Sequence, residues 1–222
     1  MAFSLSVWLE EFTQKLTGAF GPELLYLGIQ GSYGRGEAGP DSDLDLVVIL
    51  EQVELAQLEA YRALLDTMPH QELACGFLCG RAELAAWPAY DLLQLRLDSK
   101  PILGCLNDLL PSLPDEALPQ AIAIGASNLY HGACHSFLYS QDKTALLQEL
   151  YKSAFFLLRL VHLARGNPYI AAGRDLLPHL NGQDKEILML GLRRKEFSHE
   201  GTRDLYEKLI HWSRDILRAF RF

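Results

Sequence analysis

The stretch Gly31-Ser32-Tyr33-Gly34-Arg35-Gly36-Glu37-Ala38-Gly39-Pro40-Asp41-Ser42-Asp43-Leu44-Asp45-Leu46 decides how this chain is read. It joins two short apolar runs, residues 24–30 and 44–50, whose length and branched residues predict buried strands. Gly31-Ser32 follows the first run and opens a short helical turn. A glycine there lets backbone come close to a ligand. The N–H groups that follow point outward from a helix start and attract anions, and the Ser32 hydroxyl adds a donor. A strand, a Gly-Ser turn and a helix together make a compact phosphate seat.

Asp43 and Asp45 stand two residues apart at the start of the second run. Strand alternation puts both carboxylates on one face and Leu44 on the other. Two anions held side by side repel unless a cation or donor satisfies them. Hard divalent cations such as Mg²⁺ take oxygen ligands and bridge carboxylates to phosphates. The plainer reading is two solvated acids at a strand edge. The Gly-Ser seat ten residues upstream of Asp43 favours the cation and phosphate instead.

Outward from this stretch, residues 5–16 carry apolar side chains at helical spacing (Val7, Leu9, Phe12, Leu16), and residues 53–68 predict a second helix. Residues 73–78 and 90–95 predict two more strands, separated by a helical turn at 82–86. The character changes near Pro111. Beyond it the pattern predicts helices at 117–138, 143–164, 183–192 and 203–220, with caps from Ser140 to Asp142 and at Thr202, and a stop at Gly166-Asn167-Pro168. The expected fold is α+β: a small mixed-sheet domain over residues 1–110, then an all-α helical bundle over 111–222.

The 222 residues carry 20 Lys plus Arg and 28 Asp plus Glu, a formal charge of -8. The imbalance is uneven: residues 1–111 hold 6 basic and 16 acidic groups, residues 112–222 hold 14 and 12. A net acidic chain lacks the clustered Lys and Arg of a broad nucleic-acid surface. Hydrophobic residues at 49% exclude a disordered chain. Four scattered cysteines (Cys75, Cys79, Cys105, Cys134) exclude a disulfide scaffold and read as reduced thiols. Acids in the first segment and the lack of a long apolar run point to no leader and no membrane span, hence to the cytoplasm.

Gly31-Ser32, ten residues, then Asp43-Leu44-Asp45 resembles the nucleotidyltransferase superfamily related to DNA polymerase beta. The fuller string, with Gly34, Arg35, Gly36 and Asp41-Ser42, is similar to its small bacterial members, the minimal and aminoglycoside nucleotidyltransferases. The resemblance covers residues 20–50 firmly and extends to about residue 104. It implies Mg²⁺ held by Asp43 and Asp45, and a nucleoside triphosphate such as ATP held by Gly31, Ser32, Arg35 and Ser42. It also implies a third carboxylate on a later strand. Asp91, opening the predicted strand at 90–95, is the first candidate and Asp98 the competitor. That carboxylate would complete the metal site or act as base for the acceptor hydroxyl.

Such domains are often paired with a helical bundle that binds the acceptor. Within residues 148–156, Lys152 would reach nucleotide phosphates and Glu149 would orient or deprotonate the acceptor; a solvated Glu–Lys pair is the alternative. The implied activity is transfer of a nucleoside monophosphate to a hydroxyl of a small molecule, an aminoglycoside-like antibiotic being one candidate. Transfer of AMP to a protein is the alternative, a non-catalytic nucleotide-binding module a third reading, and a homodimer is compatible with all of them. Two further patterns carry less weight. His131 and His135 have the i, i+4 spacing of zinc ligands but no third partner. Arg194 and His199 resemble the Arg-x4-His ribonuclease motif of the HEPN helical family, against which a basic loop is preferred.

Overall fold

The computed structural model describes residues 3–39 and 42–220. These divide into two compact units, one ending at Leu113 and the other beginning at Pro114. In the first, helices α1 (Leu5–Phe20), α2 (Gly31–Arg35), α3 (Leu55–Leu65), α4 (Arg81–Ala85) and α5 (Ala89–Asp98) accompany strands β1 (Leu24–Ile29), β2 (Leu44–Leu50), β3 (Ala74–Gly80) and β4 (Lys100–Leu103). The strands form one mixed sheet in the order β3–β2–β1–β4. β1 runs antiparallel to β2 and β4, while β2 and β3 are parallel.

The alternation of β2 explains how this sheet is covered. Leu44, Leu46, Val48 and Leu50 point to one face and pack with Phe12 and Leu16 of α1 and Leu64 of α3. Val47 and Ile49 point to the other and pack with Tyr26, Leu84, Leu92 and Leu95, so α4 and α5 lie there. A strand buried on both faces reads as the continuous apolar run seen in the sequence. Each fully buried Leu or Ile contributes about 1.5–3 kcal/mol relative to exposure. Gly76 lets β3 approach β2 closely, since a Cβ there would lie 2.6 Å from the Leu46 nitrogen.

One expected strand is a helix. Residues 90–95 lie inside α5, and the strand that completes the sheet is β4, just after it. A short apolar run is ambiguous between strand and buried helix. Here Pro88 precedes the helix, Asp91 sits in its first turn, and Leu92 and Leu95 share one buried face. β4 is only four residues long and includes Pro101, which suits an edge strand.

The second unit is helical: α6 (Ala117–Tyr139), α7 (Lys143–Ala164), α8 (Gly173–Leu176), α9 (Gly182–Leu192) and α10 (Thr202–Ala219). Asp142 caps α7 by accepting from the Ala145 N–H at 3.0 Å. Gly201 rather than Thr202 is the cap of α10. α7 is the central helix, with Leu147, Tyr151, Ala154, Leu158 and Val161 fully buried. Trp212 of α10 joins that core and donates to Asp184 of α9 at 2.7 Å. Buried Arg159 lies over the Phe155 and Phe156 rings at 4.9 and 4.8 Å and the Tyr169 ring at 5.4 Å. These contacts stabilise a buried cation through the ring quadrupoles.

Candidate active site

The end of β1 and the start of β2 meet because the strands are antiparallel neighbours, with Ile29 opposite Leu46. One residue further on, the Gln30 N–H donates to the Asp45 carbonyl at 2.8 Å. The chain then turns sharply into α2. Gly31 makes the turn with φ +66, which strongly favours glycine. A side chain is excluded for a second reason: a Cβ on Gly31 would lie 2.5 Å from the Asp45 carboxyl carbon. The Asp45 carboxylate therefore rests directly against the Gly31 backbone.

α2 is held in place from several sides. The Gly34 N–H donates to the Gln30 carbonyl at 3.0 Å, and Gly36 ends the helix in a left-handed conformation. Gly34 is buried, with Ile29 and the Asp98 carbonyl close to where a Cβ would lie. Tyr33 packs edge-on against Phe3, which packs in turn on His70. Ser32 is half-buried, and its carbonyl accepts from the Glu37 N–H at 2.8 Å. Arg35 is paired with Glu37 at 3.1 Å, so much of its charge is engaged within the loop. Ser42 braces the same loop: its hydroxyl accepts from the Gly39 N–H at 2.9 Å, and its own N–H donates to the Gly39 carbonyl. Pro40 and Asp41 lie outside the described residues.

Asp43 is exposed, Leu44 is fully buried and Asp45 is half-buried, as alternation requires. The structure therefore brings Gly31, Ser32, Asp43 and Asp45 to one end of the sheet, with Arg35 and Ser42 shaping the loop. Two carboxylates beside a seat of backbone N–H groups suit a hard divalent cation that takes its remaining oxygens from water and phosphate. The cavity left by the missing Gly31 side chain is filled by one of those carboxylates, which favours the fit.

The third carboxylate departs from expectation. Neither later strand carries an Asp or Glu: β3 reads Ala-Cys-Gly-Phe-Leu-Cys-Gly and β4 reads Lys-Pro-Ile-Leu. Cys75, not an acid, stands in register with Asp45. Asp91 and Asp98 both lie on α5, near opposite ends. Asp98 borders α2, its carbonyl 4.0 Å from where a Gly34 Cβ would be. Burial raises the Asp91 pKa, and the nearby Trp87 indole acts in the opposite sense. Among the described residues no three acidic, Cys or His side chains group as a metal would need.

In the second unit, Glu149 and Lys152 project from α7 as an exposed pair, 4.0 Å apart. His131 and His135 are exposed on α6, with ring centroids 5.8 Å apart. Arg194 donates to the Gly191 carbonyl at 3.0 Å, and His199 lies 3.3 Å from the Thr144 hydroxyl.

Comparison with known proteins agrees with this geometry. The family described as nucleotidyltransferase domain matches residues 20–98. A Methanocaldococcus jannaschii protein, provisionally named a protein adenylyltransferase, is 38% identical over 58 residues, 26% of this chain. The chain spans 40% of the length of that curated relative. The crystal structure of spectinomycin adenyltransferase AAD(9) from Enterococcus faecialis, with ATP and spectinomycin, shares the fold at TM-score 0.58 and 18% identity. That likeness covers 97% of this chain and 100% of the other, so it includes the helical unit. Residues 20–98, matched by that family model, belong to the nucleotidyltransferase domain family.

Proposed function

We propose that this protein transfers a nucleoside monophosphate, AMP in the simplest case, from a nucleoside triphosphate to a hydroxyl of a small molecule. The observation that carries this reading is the contact between the Asp45 carboxylate and the Gly31 backbone at the mouth of α2. Asp43 and Asp45 would hold Mg²⁺, which would supply neutralisation of charge on the nucleotide phosphates. Gly31 and Ser32 bind the outer phosphates through backbone N–H groups and the Ser32 hydroxyl. Arg35 and Ser42 keep the loop in shape around the nucleotide. In the transfer, the acceptor oxygen bonds to the α-phosphorus, the bond to the bridging oxygen breaks, and pyrophosphate leaves. The acceptor's proton passes to a carboxylate base.

The preference for a small acceptor draws on the fold shared along 97% of the chain with an adenyltransferase crystallised with ATP and spectinomycin. A second reading, transfer of AMP to a protein hydroxyl, is favoured by the name of the Methanocaldococcus relative. No helix of the described residues is long and apolar enough to cross a membrane, which accords with a proposed cytoplasmic setting. The test is incubation with α-labelled ATP, Mg²⁺ and a panel of aminoglycosides, aminocyclitols and candidate proteins. Label is expected on a small acceptor, with release of pyrophosphate. Label only on protein would favour the second reading, and bound ATP with no labelled acceptor would refute transfer.

A further inference from the structure

Helix α6 buries Ala126, Leu129, Ala133 and Ser136 as it packs on α7 and α10. His131 and His135 stand away from that face, both exposed and one helical turn apart, with ring centroids 5.8 Å apart. The Tyr139 ring, a further turn on, lies 5.0 Å from the His135 ring and supports it. Among the described residues neither histidine makes a hydrogen bond or an ion pair, so their ring nitrogens are open to a ligand.

Their spacing suits a transition metal. An imidazole nitrogen lies about 2.0–2.1 Å from a zinc ion, which puts each ring centroid about 3.2 Å from the metal. At a tetrahedral angle of about 109°, two such centroids are about 5.2 Å apart. His131 and His135 therefore need to close by only roughly 0.6 Å, a small side-chain rotation at an exposed position. The pair supplies two nitrogens, whereas zinc in a closed site takes four ligands. No three His, Cys, Asp or Glu side chains of the described residues converge to complete the set.

A second copy of the chain completes it. A two-fold axis crossing α6 midway between His131 and His135 sets two such helices antiparallel, with each His131 opposite the other copy's His135. The surface around the pair suits this occupant. From Ala117 to Tyr139, α6 carries no Asp, Glu, Lys or Arg, so two copies meet without like-charge repulsion or a buried unpaired ion. Ile124 and Leu138, in line with His131 on either side of it, are 36% and 66% exposed and supply apolar contact.

We propose that His131 and His135 form half of a zinc site, completed by the same two residues of a second copy, so that the ion joins two chains along α6. The site takes a cation that favours imidazole; Mg²⁺, which takes oxygen ligands, does not compete for it. It uses none of the residues of the nucleotide site and does not rest on the nucleotidyl-transfer reading.

The test is sedimentation velocity of the full-length protein in EDTA and then with added Zn²⁺, beside calorimetric titration. The protein should be a monomer in EDTA and a dimer with Zn²⁺, at one zinc per two chains, and Mg²⁺ should leave it monomeric. His131→Ala and His135→Ala should each weaken zinc binding at least about tenfold and abolish the dimer. Their melting temperatures in EDTA should equal that of the wild type, since both side chains are exposed. Cobalt in place of zinc should show tetrahedral visible bands without a thiolate charge-transfer band. Zinc bound only by monomers, a dimer that persists in EDTA, variants that dimerise with zinc as the wild type does, or a thiolate band assigning the ion to a cysteine would each overturn the proposal.

Discussion

Replacing Gly31 with alanine should separate the two demands that meet at this residue. The first is conformational: φ +66 costs a non-glycine residue roughly 1–2 kcal/mol. The second is steric: the new methyl would lie 2.5 Å from the Asp45 carboxyl carbon. Carbon atoms pack at about 3.5–4.0 Å, so the carboxylate must withdraw by at least about 1 Å. A displacement of that size at a reacting centre costs on the order of 100-fold in rate. Gly31→Ala should therefore lower kcat/KM at least about 100-fold, with the melting temperature of the protein falling by only a few degrees. Activity is read by pyrophosphate release and stability by calorimetry. A double-mutant cycle isolates the contact. With Asp45→Ala already present, the methyl has no carboxylate to displace, so the further loss on Gly31→Ala should be only the conformational part. An active Gly31→Ala protein, or equal destabilisation in both backgrounds, would refute this reasoning.

Other consequences lie elsewhere in the chain. His162 is buried, and burial, with His179 and Arg165 nearby, lowers its pKa from 6.5, while Asp184 acts in the opposite sense. A lowered pKa in the folded state means stability is complete above 6.5 and is lost as pH falls through the folded value. The melting temperature should thus drop as pH falls below 6.5, and His162→Gln should flatten that slope; an unchanged slope would exclude His162 as its source. Thiol labelling should separate the cysteines, because Cys75 and Cys105 are exposed whereas burial pushes Cys79 up to about 12. Labelling of Cys79 at the rate of Cys75 in the folded protein would contradict the packing of β3 under α4.

The sequence was most legible where one pattern had one physical reading. The branched run Leu44–Leu50 forms a strand with those bounds, and the Gly-Ser turn before it folds as a helix start. Gly31 and Asp45, distant in sequence, meet because β1 and β2 pair antiparallel. Residues 90–95 were misread because four apolar or aromatic side chains among six residues satisfy a strand and a buried helix equally. What decided the matter was Asp91 in a first turn and a buried face spanning Leu92 and Leu95. β4 was missed because a four-residue edge strand containing Lys100 and Pro101 leaves almost no pattern. The expected third carboxylate followed from that misplaced strand.

The central claim is that Asp43 and Asp45 bind a nucleotide through a divalent cation. Calorimetric titration of ATP into wild type and Asp45→Asn, with Mg²⁺ and then with EDTA, tests it without knowledge of the acceptor. With Mg²⁺ the wild type should bind at least tenfold more tightly than Asp45→Asn. With EDTA the order should reverse or level, since without a cation the carboxylate repels the triphosphate. ATP binding that is indifferent to both Mg²⁺ and Asp45 would contradict the account.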